Sequence, residues 1–134
     1  MNMLDFHQLP VEPDEGLPQA FSCLIGDTAY DFGLYANLDV GADDPPQTLY
    51  DLAGPSRTAA PASPAGYLVL RVVRQGPDGP RVEFLRKLVA EPALVHRTQR
   101  LAIRLLEAKV ARGNLNGRGH YDSRIVIGVA QRWA

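Results

Sequence analysis

Two hairpin patterns constrain the fold of this chain most strongly, and the first lies in the sequence FSCLIGDTAYDFGLY. Phe21, Cys23 and Ile25 alternate with other residues before Gly26-Asp27, and a second alternating run follows. Alternation with a period of two is typical of a strand with one buried face. A glycine beside an aspartate supplies the positive φ that a two-residue hairpin turn needs. The sequence therefore predicts a β-hairpin over residues 21–35.

The second hairpin pattern follows in the middle of the chain. YLVLRVVR (67–74) and RVEFLRKLV (81–89) flank the turn sequence QGPDGP, and the return strand is predicted to bury Val82, Phe84 and Leu88. TLYDL (48–52) is predicted to be a short strand, and RIVIGVAQRW (124–133) a buried one.

One long amphipathic helix is predicted between these strands, from Pro92 to about Arg112. Proline is tolerated in the first turn of a helix, Glu91 suits the helix dipole there, and Gly113 suits the position after the last turn. The residues that would form its apolar stripe are Leu94, Thr98, Leu101, Ala102, Leu105 and Leu106.

The predicted element order is β-β-β-β-β-α-β. It indicates an α+β fold, in which a mainly antiparallel sheet, small barrel or sandwich carries one long helix near the C-terminus. A length of 134 residues suits a single domain over residues 1–134. Prolines break up residues 1–20, which are predicted to form an extended N-terminal arm, and the Pro/Ala-rich segment 53–66 a mobile loop.

The charges are distributed unevenly, although the net charge is only −1. Residues 1–67 carry ten acidic residues and one arginine, whereas residues 68–134 carry thirteen basic and five acidic residues. Such asymmetry indicates binding to a nucleic acid or a partner, or attraction between the two halves, within one chain or between neighbours.

The glycine-rich stretch GNLNGRGHYDSR (113–124) is predicted to be a turn. A phosphate-binding loop needs a Lys-Ser/Thr pair and leads from a strand into a helix, so that amide groups face the anion. Here the order is reversed and the Lys-Ser/Thr pair is missing.

No catalytic, metal-binding or cofactor-binding pattern stands out, so the chain is predicted not to be an enzyme and to use no cofactor. His7, His96 and His120 lie outside any metal-ligand spacing, and Cys23 is the only cysteine. A nucleophile system of Ser22 or Cys23 with His120 lacks an elbow motif such as G-x-S-x-G.

The candidate interaction residues are charged. Arg97, Arg100 and Arg104 would share one face of the predicted helix, with Arg118 beyond it. The aspartates Asp39, Asp43 and Asp44 are their candidate partners in docking between subunits of an assembly, or between copies of this chain. A solvated helix face is the structural alternative. The functional alternative is a nucleic-acid-binding module that uses the same helix with Arg118 and Arg124.

The N-terminal part also resembles a known family. The residues that carry the resemblance are Pro10, Pro13, Gln19, Phe21, Ile25-Gly26, Tyr30, Phe32, Asn37 and Tyr50-Asp51-Leu52. They resemble the β-rich plug proteins of phage tail baseplates over residues 9–52, with weaker likeness over 67–73. The loop 53–66 and the helix 92–112 depart from that pattern. The resemblance implies a structural virion component without catalytic residues, seated among other tail or baseplate proteins.

The expected location follows from the resemblance and from the absence of long apolar runs. No stretch approaches the roughly 18 apolar residues of a membrane-spanning helix, and the acidic N-terminus does not resemble a secretory signal. We therefore expect no membrane partner, and a location in the virion, as part of a phage tail, or in the bacterial cytoplasm before assembly.

Overall fold

A computed structural model describes residues 6–38, 40, 43–52, 66–88 and 94–132. In this part of the chain, two antiparallel sheets share one hydrophobic core. The strands are β1 (His7–Gln8), β2 (Gln19–Ile25), β3 (Thr28–Leu38), β4 (Leu49–Asp51), β5 (Gly66–Gly76), β6 (Gly79–Leu88), β7 (His96–Arg97), β8 (Leu101–Ala111) and β9 (Arg124–Gln131). Short 3₁₀ turns lie at Pro13–Glu15 and Arg112–Asn114.

The four-stranded sheet has the order β2-β3-β5-β6 and contains both predicted hairpins. Ile25 pairs with Thr28 across the first turn, where Gly26 has a φ of +63°. The second turn is closed by Gly76 and Gly79, and Gly79 has a φ of +101°. Glycine adopts these left-handed conformations without the steric cost that a Cβ atom brings. β2 and β6 form the two edges of this sheet.

The other sheet joins strands from both ends of the chain. Its order is β1-β9-β8-β4, and β7 also pairs with β8. β4 and β7 share one side of β8, because Leu49 pairs with Ala111 whereas Arg97 pairs with Ala102. The predicted last strand is confirmed as β9, in which Ile125, Ile127 and Val129 are buried.

The inward side chains of both sheets meet in the core. Phe32, Leu34 and Leu70 come from the four-stranded sheet, and Ile103 and Ile127 come from the other. Stacked sheets bury one face each, which explains why most strands alternate between apolar and polar residues.

The predicted long helix is wrong, and with it the α+β fold class: the described chain is mostly antiparallel β-sheet and has no helix of seven or more residues. Leu101–Ala111 forms β8, whose inward residues are Leu101, Ile103, Leu105, Ala108 and Val110. Leu106 is an extra residue in a β-bulge, because Leu105 pairs with Ile127 and Glu107 with Val126. The bulge shifts the alternation by one position. Leu101, Leu105 and Ala108 therefore have the spacing of a helical stripe although they lie on a strand.

The first described residues of the predicted helix, from Leu94 onward, are not helical either. Residues 89–93 lie outside the described residues, and Thr98 lies in the turn between β7 and β8, not on an apolar stripe. The Thr98 hydroxyl accepts hydrogen bonds from the backbone N–H groups of Arg100 (3.2 Å) and Leu101 (2.9 Å). Such local side-chain bonds to the backbone favour turns over helix.

A second bulge corrects the prediction for β6. Val72 pairs with Phe84 and Val73 with Val82, so Glu83 is the extra residue. Phe84 and Leu88 are buried as predicted, but Val82 lies on the outer face and its side chain is 57% exposed.

The N-terminal segment is partly extended and packs against the rest of the chain. β1 pairs with β9, and Leu9, Val11 and Leu17 are buried in the core. Of the predicted mobile loop 53–66, only Gly66 lies within the described residues, where it begins β5.

Candidate interaction surface

The three arginines assigned to the helix lie around the β7–β8 turn instead. Arg97 pairs with Ala102 across the two strands, which places Arg97 and Arg104 on the same face of the sheet. The guanidinium carbon of Arg104 lies 5.5 Å from the centre of the Phe6 ring, within the range of a cation–π interaction. Arg100 lies in the turn itself. The structure therefore places the three residues around one turn, with Arg97 and Arg104 on one face of the sheet, and not on one helix face.

The candidate acidic partners lie elsewhere or outside the described residues. Asp39 is outside them, and Asp43 and Asp44 precede β4. Because β4 pairs with residues 109–111 of β8 and β7 pairs with residues 102–103, the two groups flank opposite ends of a strand segment about 25 Å long. Asp44 accepts a hydrogen bond from the Tyr50 hydroxyl at 2.6 Å. Burial and this hydrogen bond raise the pKa of Tyr50.

The two oppositely charged halves meet within the chain at the first 3₁₀ turn. Arg118 lies 3.5 Å from Glu15, and Nδ1 of His120 lies 3.1 Å from Asp14. Nε2 of His120 lies 3.2 Å from Asp122, and hydrogen bonding to Asp14, with the charges of both carboxylates, raises the pKa of His120. Arg118 thus contacts an acid of its own chain, which agrees with attraction between the two oppositely charged halves within one chain.

The glycine-rich stretch 113–124 is a turn built around a buried amide. Asn114 donates a hydrogen bond to the Gly119 carbonyl at 2.9 Å and accepts one from the Ser123 hydroxyl at 2.6 Å. The Ser123 hydroxyl in turn accepts the N–H of Ala111 at 2.7 Å. Buried polar groups are costly unless they are paired in this way. The stretch therefore connects β8 to β9, and the side chains of Asn114 and Ser123 fix its backbone by hydrogen bonds.

The structure does not bring the conceivable nucleophile system together. Ser22 donates a hydrogen bond to Asp31 at 2.6 Å, whereas His120 lies between Asp14 and Asp122. Burial raises the pKa of the Cys23 thiol, which lowers the fraction of the nucleophilic thiolate. Among the described residues, no group of three or more His, Cys, Asp or Glu is arranged to hold a metal ion.

The two edges of the four-stranded sheet differ in their chemistry. β6 carries Arg81, Arg86 and Lys87 and contains the bulge at Glu83. Charges and bulges are the usual means by which an edge strand avoids pairing with another chain. β2 (QAFSCLI) has no charged residue, no proline and an unbroken register with β3 from Gln19 to Ile25. Among the described residues, its backbone pairs only with β3.

Apolar side chains are exposed at the β2 edge. Leu24 is 71% exposed on the outer face, and Phe21 and Cys23 pack against the core but are only half-buried. An uncharged, regular and apolar edge is a template for a further strand. We therefore take the β2 edge as the candidate interaction surface.

Comparison with protein-family models, with curated proteins and with solved structures found no match. Within the described residues, no helix has the length and apolar character that spanning a membrane requires.

Sequence reasoning missed the β2 edge because it concentrated on charge. The signal was available in part: β2 is a seven-residue strand without a single charged side chain. Its position at an edge depends on the strand order β2-β3-β5-β6, which pairs strands far apart in sequence.

Proposed function

We propose that this chain is a non-enzymatic structural protein that acts by binding other polypeptides, as a component of a phage tail or baseplate. The observation that carries the binding role is the β2 edge, whose outer backbone groups have no strand partner among the described residues and lie beside the exposed Leu24. An added strand would satisfy such backbone groups and cover the half-buried Phe21 and Cys23. The virion role rests on the resemblance of residues 9–52 to the plug proteins.

The β2–β3 hairpin also supports the proposal. It contains Phe21, Gly26, Tyr30 and Phe32, which are part of the resemblance. The Phe21 and Phe32 rings stack with their centres 5.2 Å apart. Tyr30 and Phe32 are buried, so these residues hold the hairpin against the core. Among the described residues, no strand pairs with the edge of β2 that faces away from β3.

The test of a virion role is the composition of purified particles. Mass spectrometry of density-purified phage particles from the organism that encodes the chain should detect its peptides in a constant ratio to tail proteins. Peptides found only in the soluble fraction, with none in the particles, would refute the virion role.

A nucleic-acid titration tests the competing function. Single- and double-stranded DNA at low salt should not bind the full chain measurably. The charge-reversed variant Arg97→Glu/Arg100→Glu/Arg104→Glu is the control. Tight binding that weakens steeply with salt and disappears in this variant would replace the assembly role by nucleic-acid binding.

A further inference from the structure

We propose that the partner of the β2 edge is a second copy of this chain, which pairs its own β2 antiparallel to the first about a two-fold axis through Ser22. The inference rests on the proposed function and names one binding partner for it. The two four-stranded sheets would become one continuous sheet of eight strands, with both inner faces on the same side.

The proposed register pairs large side chains with small ones. A two-fold axis at Ser22 places Phe21 opposite Cys23 of the second copy and Leu24 opposite Ala20 of the second copy. Directly opposite residues in an antiparallel pair lie on the same face, with Cβ atoms about 4.5–5.5 Å apart. A large side chain therefore meets a small one on both faces of the new strand pair.

The absence of charge on β2 favours self-pairing through β2 over self-pairing through β6. In a two-fold interface each residue near the axis faces itself or its near neighbours. If β6 paired with itself about an axis near Arg86 and Lys87, these like charges would face each other. Gln19–Ile25 contains no charged residue, so self-pairing brings no like charges together within the strand.

The nearest acid on the outer face does not oppose the pairing. Asp31 of β3 accepts hydrogen bonds from Ser22 and, at 2.6 Å, from the side-chain amide of Gln75. The two copies of Asp31 would be three strand spacings apart, about 14 Å. This distance exceeds the screening length of about 8 Å at physiological ionic strength.

The first experiment measures the mass of the full chain in solution by light scattering. The wild type should be a dimer of the 14.6 kDa chain. The variant Ala20→Lys/Leu24→Lys places a lysine opposite a lysine at two positions, and it should be monomeric at concentrations where the wild type is dimeric. The matched control Val82→Lys/Leu85→Lys alters two exposed apolar residues of β6 and should remain dimeric.

The second experiment maps the axis and does not depend on the lysine variant folding. In a Cys23→Ala background, Ser22→Cys should form a disulfide-linked dimer under mild oxidation, whereas Leu24→Cys should not. Salt should weaken the dimer little, because no charged pair holds the strands together. Cross-linking through position 24 and not through position 22 would overturn the two-fold axis at Ser22.

The outcomes separate this inference from the proposed function. A monomeric wild type, or a dimer that persists in a folded Ala20→Lys/Leu24→Lys variant, overturns self-pairing through β2. If the peptides are nevertheless found in particles, the assembly function stands without it. A dimer lost in the β2 variant, together with absence from particles, supports the self-pairing and refutes the virion role.

Discussion

Replacing Glu83 with alanine should destabilise the fold more than removing any exposed ion pair. Glu83 is the extra residue of the β6 bulge, and its side chain is only 6% exposed. One carboxylate oxygen lies 3.5 Å from Nε of Arg74, whose side chain is 18% exposed. The other accepts hydrogen bonds from the Thr98 hydroxyl at 2.7 Å and from the Arg100 N–H at 3.1 Å. The bulge thereby ties β6 to β5 and to the β7–β8 turn.

The expected magnitude follows from what Glu83→Ala leaves behind. Removing one partner of a buried ion pair costs about 3–5 kcal/mol, because the other charge stays buried without compensation. We expect a loss of about 3 kcal/mol, the lower end of that range, since Arg74 retains some contact with water. The Arg100 N–H contributes little to this loss, because it also donates a hydrogen bond to the Thr98 hydroxyl.

Urea unfolding followed by far-UV circular dichroism measures this loss. The control is Glu107→Ala, which removes an exposed pair in which Nε of Arg124 lies 2.7 Å from both carboxylate oxygens. Exposed pairs contribute about 0–1 kcal/mol, so Glu107→Ala should change the free energy of unfolding by no more than that. If both variants lose the same stability, Glu83 does not hold the bulge as described.

Three further predictions concern the β8 bulge at Leu106, the buried amide of Asn114 and the side chain of His120. Deleting Leu106 should leave a folded β-protein, because the deletion restores regular alternation between Leu105 and Ala108. An alanine inserted after Ile103 should instead unfold the protein, because it turns the following buried side chains of β8 to the opposite face. Circular dichroism distinguishes the folded variant from the unfolded one. Asn114→Leu should lower the free energy of unfolding by about 1–3 kcal/mol in urea titrations, because it removes a hydrogen-bond partner from the half-buried Gly119 carbonyl and Ser123 hydroxyl; an unchanged value would contradict the role of the amide. The raised pKa of His120 means that its contribution to stability is complete below the ordinary histidine pKa of about 6.5 and is lost as the pH rises through the folded value. The stability difference between wild type and His120→Gln should therefore shrink with rising pH, and a difference independent of pH would contradict the contact with Asp14 and Asp122.

The sequence predicted the local pairings and failed where tertiary contacts decide. Both hairpins were predictable because their turns contain glycines at the required positions, Gly26 and Gly79. β8 was mistaken for a helix because the bulge at Leu106 changes the spacing of the buried residues. Ala102 and Ala111, which face away from the core cluster, are also buried, and burial on both faces hides the alternation further. β1 and β7 have two residues each, too few for a periodic pattern.

The candidate interaction residues were predicted from charge. The candidate interaction surface that the structure indicates, the β2 edge, carries no charged residue. Arg118 was predicted to be an interaction residue, and in the structure it lies 3.5 Å from Glu15 of its own chain. The position of β2 at an edge was not predicted, because no local sequence pattern indicates which strands lie at the edges of a sheet. Strand order follows from long-range packing of the two sheets around the core.

The pairing of β1 with β9 sets a limit on when the protein can fold during synthesis. His7 pairs with Val129, so this residue finds its neighbour only after all the residues between them have been synthesised. The hairpins β2–β3 and β5–β6 can form as soon as they emerge, whereas the five-stranded sheet must wait for β9. Until then the inner face of the four-stranded sheet is exposed to other nascent chains, so the late synthesis of β9 prolongs the period in which the chain can associate prematurely.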